Sequence, residues 1–235
     1  MSRITLIDSI RGFSFIPMFI FHLFSTYDVT NNFSTMSTSI PIVSSLGQIR
    51  HVFIILAGMS LSLSALNKKN KKQYYSVRLK RSIQILIHAF ILSALTEYLF
   101  PDVAIKFGIL HFIGIATLLL APIASNNILL LTVLLLCIFV KIQPINPTID
   151  TIVGMRAHYP MADWFPLQKT LPTIISGVIL GNIIFKNNNK ISRIKTYQKD
   201  TVLQWMGKNS LNLYTGHVIL LFLIFYIAKH YFHMY

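Results

Sequence analysis

Ile7-Asp8-Ser9-Ile10-Arg11-Gly12-Phe13-Ser14-Phe15-Ile16-Pro17-Met18-Phe19-Ile20-Phe21-His22 sets an acid, a cation and an imidazole among aromatic and aliphatic side chains. About 20 mostly apolar residues are needed to cross a bilayer as a helix, and residues 7–26 supply them. Ionisable groups at that depth are costly, face the protein interior and by default mark function. Arg11 and His22 are eleven residues apart, so a helix turning 100° per residue brings them within about 20° of one face, separated by roughly 16 Å along the axis. Asp8, three residues before Arg11, is close enough to pair with it. Phe15 and Met18 continue the stripe between charge and ring, and Pro17 could kink it and swing His22 away.

Working outward, the rest of the chain is of the same kind. Of its 235 residues 54% are hydrophobic and only 12% charged, whereas a soluble domain carries about a quarter charged residues. Seven apolar stretches follow one another, at about 7–26, 49–66, 82–100, 107–123, 127–143, 168–185 and 209–230. No linker between them is long enough for a separate soluble domain. The expected architecture is therefore an all-α integral membrane protein, a polytopic bundle of about seven transmembrane helices, forming one domain over 1–235.

The excess of 21 Lys plus Arg over 7 Asp plus Glu would suggest nucleic acid in a soluble chain; here it reports topology. With the N-terminus inside, Arg3, Arg11, Lys68, Lys69, Lys71, Lys72, Arg78, Lys80, Arg81, Lys186, Lys190, Arg193, Lys195, Lys199 and Lys208 share one side, 15 of the 21 cations. Arg50, Lys106, Lys141, Arg156, Lys169 and Lys229 face the other. Positive loops stay inside, so the N-terminus is expected to be cytoplasmic and the C-terminus outside. Asp8 and Arg11 interrupt what a cleavable signal would need as its apolar core, so the first helix is expected to be retained.

Two outer loops, 27–48 and 143–167, are long enough to cover a pocket or recognise a substrate. The second holds four prolines with Arg156, His158, Asp163 and Trp164. The further intramembrane ionisable residues are His88, Glu97, His111 and His217. His111 could orient an acceptor, stabilise an oxyanion or hold a backbone carbonyl. His88 and His217 could line a donor tunnel or make buried hydrogen bonds, and Glu97 could pair with Lys106. Cys137 is the one cysteine, so no thiol cluster exists for a metal, and His230 with His233 lacks a nearby carboxylate. No metal is expected. Gly177 and Gly181 permit close helix approach, within the bundle or across a homodimer.

The stretch from Arg3 to His22, with its Asp-x-x-Arg-Gly and Arg-x10-His spacing, resembles the opening helix of membrane-bound acyltransferases with a catalytic domain like heparan-alpha-glucosaminide N-acetyltransferase. Matching motifs follow in order: Phe53-x4-Gly58-x-Ser60, Arg78-x-x-Arg81, Gly108-Ile109-Leu110-His111-Phe112-Ile113-Gly114, and Gly207-Lys208-Asn209-Ser210-Leu211 to Tyr214-x-x-His217. The bacterial polysaccharide O-acyltransferases, which are shorter than the lysosomal enzyme and keep the histidine, are similar as well.

The resemblance implies transfer of an acyl group, usually acetyl, from cytoplasmic acyl-CoA to a hydroxyl or amine of an extracytoplasmic glycan. The family's catalytic histidine maps onto His22, and its basic residues for the CoA phosphates onto Arg11, Arg78 and Arg81. Chemistry agrees: a nucleophile attacking a thioester needs a base whose pKa lies near the working pH, as a neutral imidazole supplies, and Arg matches phosphate with paired hydrogen bonds. Arg78 and Arg81 at a cytoplasmic helix start could equally be topology determinants facing anionic lipid. The expected catalytic set is His22, His111 and Asp8, and the expected donor contacts are Arg11, Arg78, Arg81 and His217. The donor is acetyl-CoA or another acyl-CoA, and the partners are a cell-surface acceptor and the bilayer of a bacterial inner membrane. The competing class is a proton-coupled transporter using Asp8, His22, Glu97 and His111 as a relay.

Overall fold

The computed structural model describes residues 4–31, 35–67, 70–140, 146–155, 157, 161–186 and 201–231. Arg3, Lys68, Lys69, Lys141, Arg156, His158, Lys190, Arg193, Lys195, Lys199 and His233, on which parts of the charge count and of the loop and metal readings rest, lie outside them. Among the described residues the chain forms α1 (Thr5–Thr30), α2 (Met36–Ser39), α3 (Pro41–Gly47), α4 (Ile49–Leu66), α5 (Lys71–Leu99), α6 (Ile109–Leu120), α7 (Asn127–Phe139), α8 (Pro147–Ile152), α9 (Leu167–Phe185), α10 (Val202–Lys208) and α11 (Ser210–Tyr231).

Each of the seven apolar stretches contains a helix, and among the described residues five segments are long and apolar enough to cross a membrane: Thr5–Thr30, Pro41–Leu66, Lys71–Leu99, Leu167–Phe185 and Ser210–Tyr231. Helices α6 and α7, with 12 and 13 residues, extend about 18–20 Å, short of a hydrocarbon core about 30 Å thick. Side chains such as Phe13, Phe90, Ile128, Phe139, Ile183 and Leu220 are exposed, as the lipid-facing side of an integral membrane protein requires.

Two boundaries depart from the sequence reading. Helix α5 begins eleven residues before the apolar run, because Asn70 caps it by accepting hydrogen bonds from Lys72 N (2.8 Å) and Gln73 N (3.5 Å) and because Lys, Arg and Gln are good helix formers. Arg78 and Arg81 therefore sit inside the helix rather than before it. The stretch 27–48 is largely helical: the Asp28 carboxylate accepts from Met36 N (3.0 Å) and Ser37 N (2.6 Å), starting α2 and folding the connection back over α1. Pro17 removes one backbone donor, yet α1 runs through it from Thr5 to Thr30. Arg11, Met18 and His22 all remain at least partly buried.

Glycines set the two tightest helix crossings. A Cβ on Gly177 of α9 would lie 2.3 Å from Ile55 O of α4, and one on Gly58 would lie 2.3 Å from Ile174 O. The Gly177-x3-Gly181 spacing thus serves packing within this chain. Ser62 Oγ donates to Asn182 Oδ1 (2.6 Å), and Asn182 Nδ2 donates to Ala124 O (2.9 Å), so the polar groups buried at that crossing are matched. On the other side of the bundle, α10 lies against the start of α1, where Gly12 faces Leu203 O and Gly207 faces Asp8 O. Ile54, Phe107, Phe112, Leu120, Ile174, Ile175 and Val178, each 0–2% exposed, form the core between these crossings.

Gly177→Val should separate α4 from α9, at an overpacking cost of about 1–3 kcal/mol, and lower the melting temperature in detergent by several degrees. Gly216→Ala, whose Cβ would meet nothing within 4 Å, should leave it unchanged.

Candidate functional site

Because α1 and α4 are held at glycine contacts and α10 closes on α1, the helices enclose a cavity of about 590 Å³, within the range of about 300–1,000 Å³ common for small-molecule sites. Its walls carry Asp8, Arg11 and Met18 from α1, Ser60 from α4, Arg78, Lys80, Arg81 and Gln84 from α5, Ile109 and Ile113 from α6, and Lys208 and Tyr214 from the C-terminal helices. Five cations against one carboxylate make it strongly basic at one end. Arg11 is held at both sides: one guanidinium nitrogen is 3.4 Å from Asp8 Oδ1, and the other donates to Ser60 Oγ at 2.8 Å. The Arg11–Asp8 pair and the Ser60 of the second motif therefore act together.

A second, smaller cavity of about 30 Å³ adjoins it. It is lined by Met18, Phe21, His22, Gly47, Ile49, Arg50, Ile109, Asp163, Phe165 and Tyr214. Met18, Ile109 and Tyr214 line both cavities, so they form the partition between them. His22 stands on the small-cavity side of that partition, with its ring 5.5 Å from that of Tyr214.

The protonation pattern of His22 follows from its neighbours. His217 Nδ1 lies 2.9 Å from Leu213 O. A carbonyl only accepts, so this nitrogen carries the hydrogen. In a neutral ring Nε2 of His217 is then a lone pair, and His22 Nδ1, at 2.7 Å, must donate to it. His22 Nε2 is left as a bare lone pair. The two rings are nearly parallel, with centroids 5.0 Å apart, and Phe15 meets His217 edge-on at 5.1 Å. One backbone carbonyl thus fixes two tautomers in series.

The other expected site residues separate into groups. Arg11, Arg78, Arg81 and Asp8 come together around the large cavity. Asp8 precedes His22 by fourteen residues, about 21 Å along α1, so it acts on Arg11 and not on the imidazole. His217, expected as a donor contact, lines neither cavity and stands behind His22. His111 lines neither as well: its Nδ1 accepts from Gly108 N (3.3 Å), its Nε2 lies 3.4 Å from Ser93 Oγ, and Phe107 stacks on its ring. His88 Nδ1 is 2.9 Å from Thr215 Oγ1, a link between α5 and α11. Glu97 is exposed and paired with Lys106. Among the described residues Asp8, His22, Glu97 and His111 are not joined to one another by direct hydrogen bonds.

Sequence reasoning did not reach Ser60, Lys80, Lys208 and Tyr214 as wall residues, or Arg50 and Asp163 in the small cavity. Asp163 Oδ2 accepts from Ile109 N at 2.9 Å, which satisfies a donor at the start of α6. Burial pushes its carboxyl up to about 6, opposed by that amide and by the Arg50 guanidinium. Arg50 also lies over the Phe165 ring, 5.8 Å from its centroid. In sequence the nearest marker was the fourth motif, Gly108-Ile109, whose second amide is the one that Asp163 accepts from.

A family model described as heparan-alpha-glucosaminide N-acetyltransferase, catalytic, matches residues 3–219. No curated protein and no solved structure matches the chain.

If the large cavity is open to water, Ser60→Cys in a Cys137→Ser background should react with a charged methanethiosulfonate, read as a mass increase on the intact protein. Ser82→Cys, at a position 0% exposed, should stay unmodified under the same conditions.

Proposed function

The chain belongs to the heparan-alpha-glucosaminide N-acetyltransferase catalytic family, and on that premise we propose that this membrane acetyltransferase moves an acyl group, usually acetyl, from acyl-CoA held in the large cavity to an acceptor entering the small one, with His22 as base. The observation that carries the reading is the meeting of the two cavities at Met18, Ile109 and Tyr214, next to an imidazole whose Nε2 is bare.

The donor is a polyanion with a thin reactive arm. Arg78, Lys80, Arg81 and Lys208 supply fixed positive charge for its phosphates, and Arg11, oriented by Asp8 and Ser60, supplies a further guanidinium nearer the partition. Charge-assisted hydrogen bonds of this kind are about twice as strong as neutral ones. The arm runs from that basic end along α1 to Met18, so that the thioester carbonyl reaches the partition. His22 Nε2 then takes the proton of the acceptor hydroxyl or amine. The acceptor atom bonds to the thioester carbon, the tetrahedral intermediate collapses, and the carbon–sulfur bond breaks. The leaving thiolate takes the proton back from the imidazolium. The acceptor is acylated, and free CoA and the neutral base are restored.

His217 is a positioning residue in this scheme. It holds His22 Nδ1–H, presents Nε2 to the acceptor, and shares the positive charge that His22 gains during proton transfer. His111 keeps the start of α6 in place against Ser93 and Gly108, close to Ile109 of the partition.

The same reading gives the chain one transmembrane domain over 1–235. The N-terminus and the basic end of the large cavity face the cytoplasm, and the small cavity faces outward. That arrangement puts acyl-CoA where it is made and the acceptor, a glycan or other surface molecule, outside a bacterial inner membrane.

His22→Ala should abolish consumption of acetyl-CoA by the purified protein while leaving its melting temperature in place; retained turnover would remove His22 from the mechanism. His217→Phe should lower kcat about 10²-fold, in the range for general-base effects, with the KM for acetyl-CoA unchanged. Arg78→Gln and Arg81→Gln should each raise that KM about tenfold, which corresponds to about 1.4 kcal/mol. An unmoved KM would assign these two arginines to topology alone.

A further inference from the structure

Attack on a thioester carbon pushes an electron pair onto the carbonyl oxygen, and that oxygen needs a hydrogen-bond donor waiting where the charge develops. At the partition the side-chain donors are few. Met18 and Ile109 are apolar, the Ile109 amide donates to Asp163 Oδ2 (2.9 Å), and the Nδ1 hydrogen of His22 is directed to His217 Nε2 (2.7 Å). His111, expected as a possible oxyanion group, lines neither cavity and is engaged with Gly108, Ser93 and Phe107. Tyr214 remains. It is 7% exposed and lines both cavities, and among the described residues its hydroxyl makes no hydrogen bond within the protein. A buried donor without a partner is costly, so a bound ligand atom is its expected partner.

The ring that carries this hydroxyl is held from two sides. His22 meets it with centroids 5.5 Å apart and 78° between the planes, and His217 with centroids 5.4 Å apart and 89°. Tyr214 and His217 are three residues apart on α11 and so lie on neighbouring positions of one face. Only the hydroxyl hydrogen is left to turn, and it follows the acceptor that is present. Asp163 is the one carboxyl group among the small-cavity residues, and no hydrogen bond joins it to Tyr214.

We propose that Tyr214 is the oxyanion donor of the transfer, its hydroxyl donating a hydrogen bond to the thioester carbonyl oxygen as that oxygen becomes negative. This rests on the acyl-transfer reading with His22 as base. The acceptor atom gives its proton to His22 Nε2 and bonds to the carbonyl carbon, while the π pair moves onto the oxygen facing Tyr214. The phenol keeps its own proton. When the pair returns, the carbon–oxygen double bond re-forms, the carbon–sulfur bond breaks, and the thiolate takes the proton from the imidazolium. The match is one of donor inventory: an incoming hydroxyl or amine brings its own hydrogen to the bare nitrogen, whereas a carbonyl oxygen offers lone pairs alone. Base and oxyanion donor then come from different helices, α1 and α11, and meet at the partition.

Full-length protein in lipid nanodiscs, assayed by release of the CoA thiol from acetyl-CoA with water as nucleophile, gives the first readout. Tyr214→Phe removes one oxygen from the ring and should lower kcat about 10²-fold, as loss of one oxyanion donor does. The KM for acetyl-CoA and the melting temperature should stay in place. An unchanged kcat, or a loss carried by KM alone, overturns the proposal. The second readout needs no turnover: the infrared carbonyl stretch, selected by isotopic labelling, of a bound acetyl-CoA analogue in which a methylene replaces the thioester sulfur. A hydrogen bond weakens the carbonyl bond, so the band in the unaltered protein should lie below its position in cyclohexane. It should rise in Tyr214→Phe and stay put in His22→Ala. A band at the cyclohexane position in the unaltered protein overturns the proposal whatever the variant does, and so does a band that Tyr214→Phe leaves unmoved. The two ideas fail separately. His22-dependent turnover with an unmoved band overturns the role of Tyr214 alone, whereas absence of any His22-dependent turnover overturns the transfer reading and this proposal with it.

Discussion

A single backbone carbonyl, Leu213 O, decides how the centre of this molecule can work. It takes the Nδ1 hydrogen of His217, which directs the Nδ1 hydrogen of His22 onto His217 Nε2 and turns the Nε2 lone pair of His22 away from the pair. An imidazole deep in an apolar bundle is costly unless its hydrogen bonds are met, and here each ring meets one through the other. The aromatic cage of Phe15, Phe19 and Tyr214 around the two rings excludes competing partners. The tautomer is therefore a property of the helix packing and not of the local sequence around His22.

That packing depends in turn on how closely the helices approach. Gly12 and Gly207 let α10 lie directly on α1, and Gly58 and Gly177 let α4 lie on α9. The motif glycines thus have a purpose distinct from the motif cations between them. Where backbones touch, side chains have no room, and the long Arg and Lys side chains project into the gap left between the two crossings. The large cavity is the space enclosed by two tight contacts. Its basic end falls where α5 extends past the apolar run on helix-forming cationic residues.

What the sequence made legible follows from the range of the interaction concerned. The stripe of Arg11, Met18 and His22 is a matter of 100° per residue along one helix, and it survived Pro17 because α1 stays continuous. Arg78 and Arg81 were legible as a basic corner, but the start of α5 was not, because hydropathy marks apolar residues and Asn70 marks the cap. The His22–His217 contact joins residues 195 apart and leaves no local trace, so His217 read either as a donor-tunnel residue or as a buried hydrogen-bonding one, with no partner named. Arg50 read as an outer cation and Asp163 as part of a proline-rich loop for the same reason: their meeting depends on α6 presenting the Ile109 amide to that loop. Helices α6 and α7 show the opposite case, since hydropathy made their apolar character plain but does not mark where a helix ends.

The small cavity is confined by the same packing. Its volume of about 30 Å³ leaves room for one or two groups the size of water, and burial is the first cause of the raised pKa of Asp163, although Arg50 beside it lies at an exposed position. Met18 of α1, Ile109 of α6 and Tyr214 of α11 line both this space and the large basic one. Three helices thus meet where the two cavities meet, and a shift of any one of them changes the partition and the surroundings of His22 together.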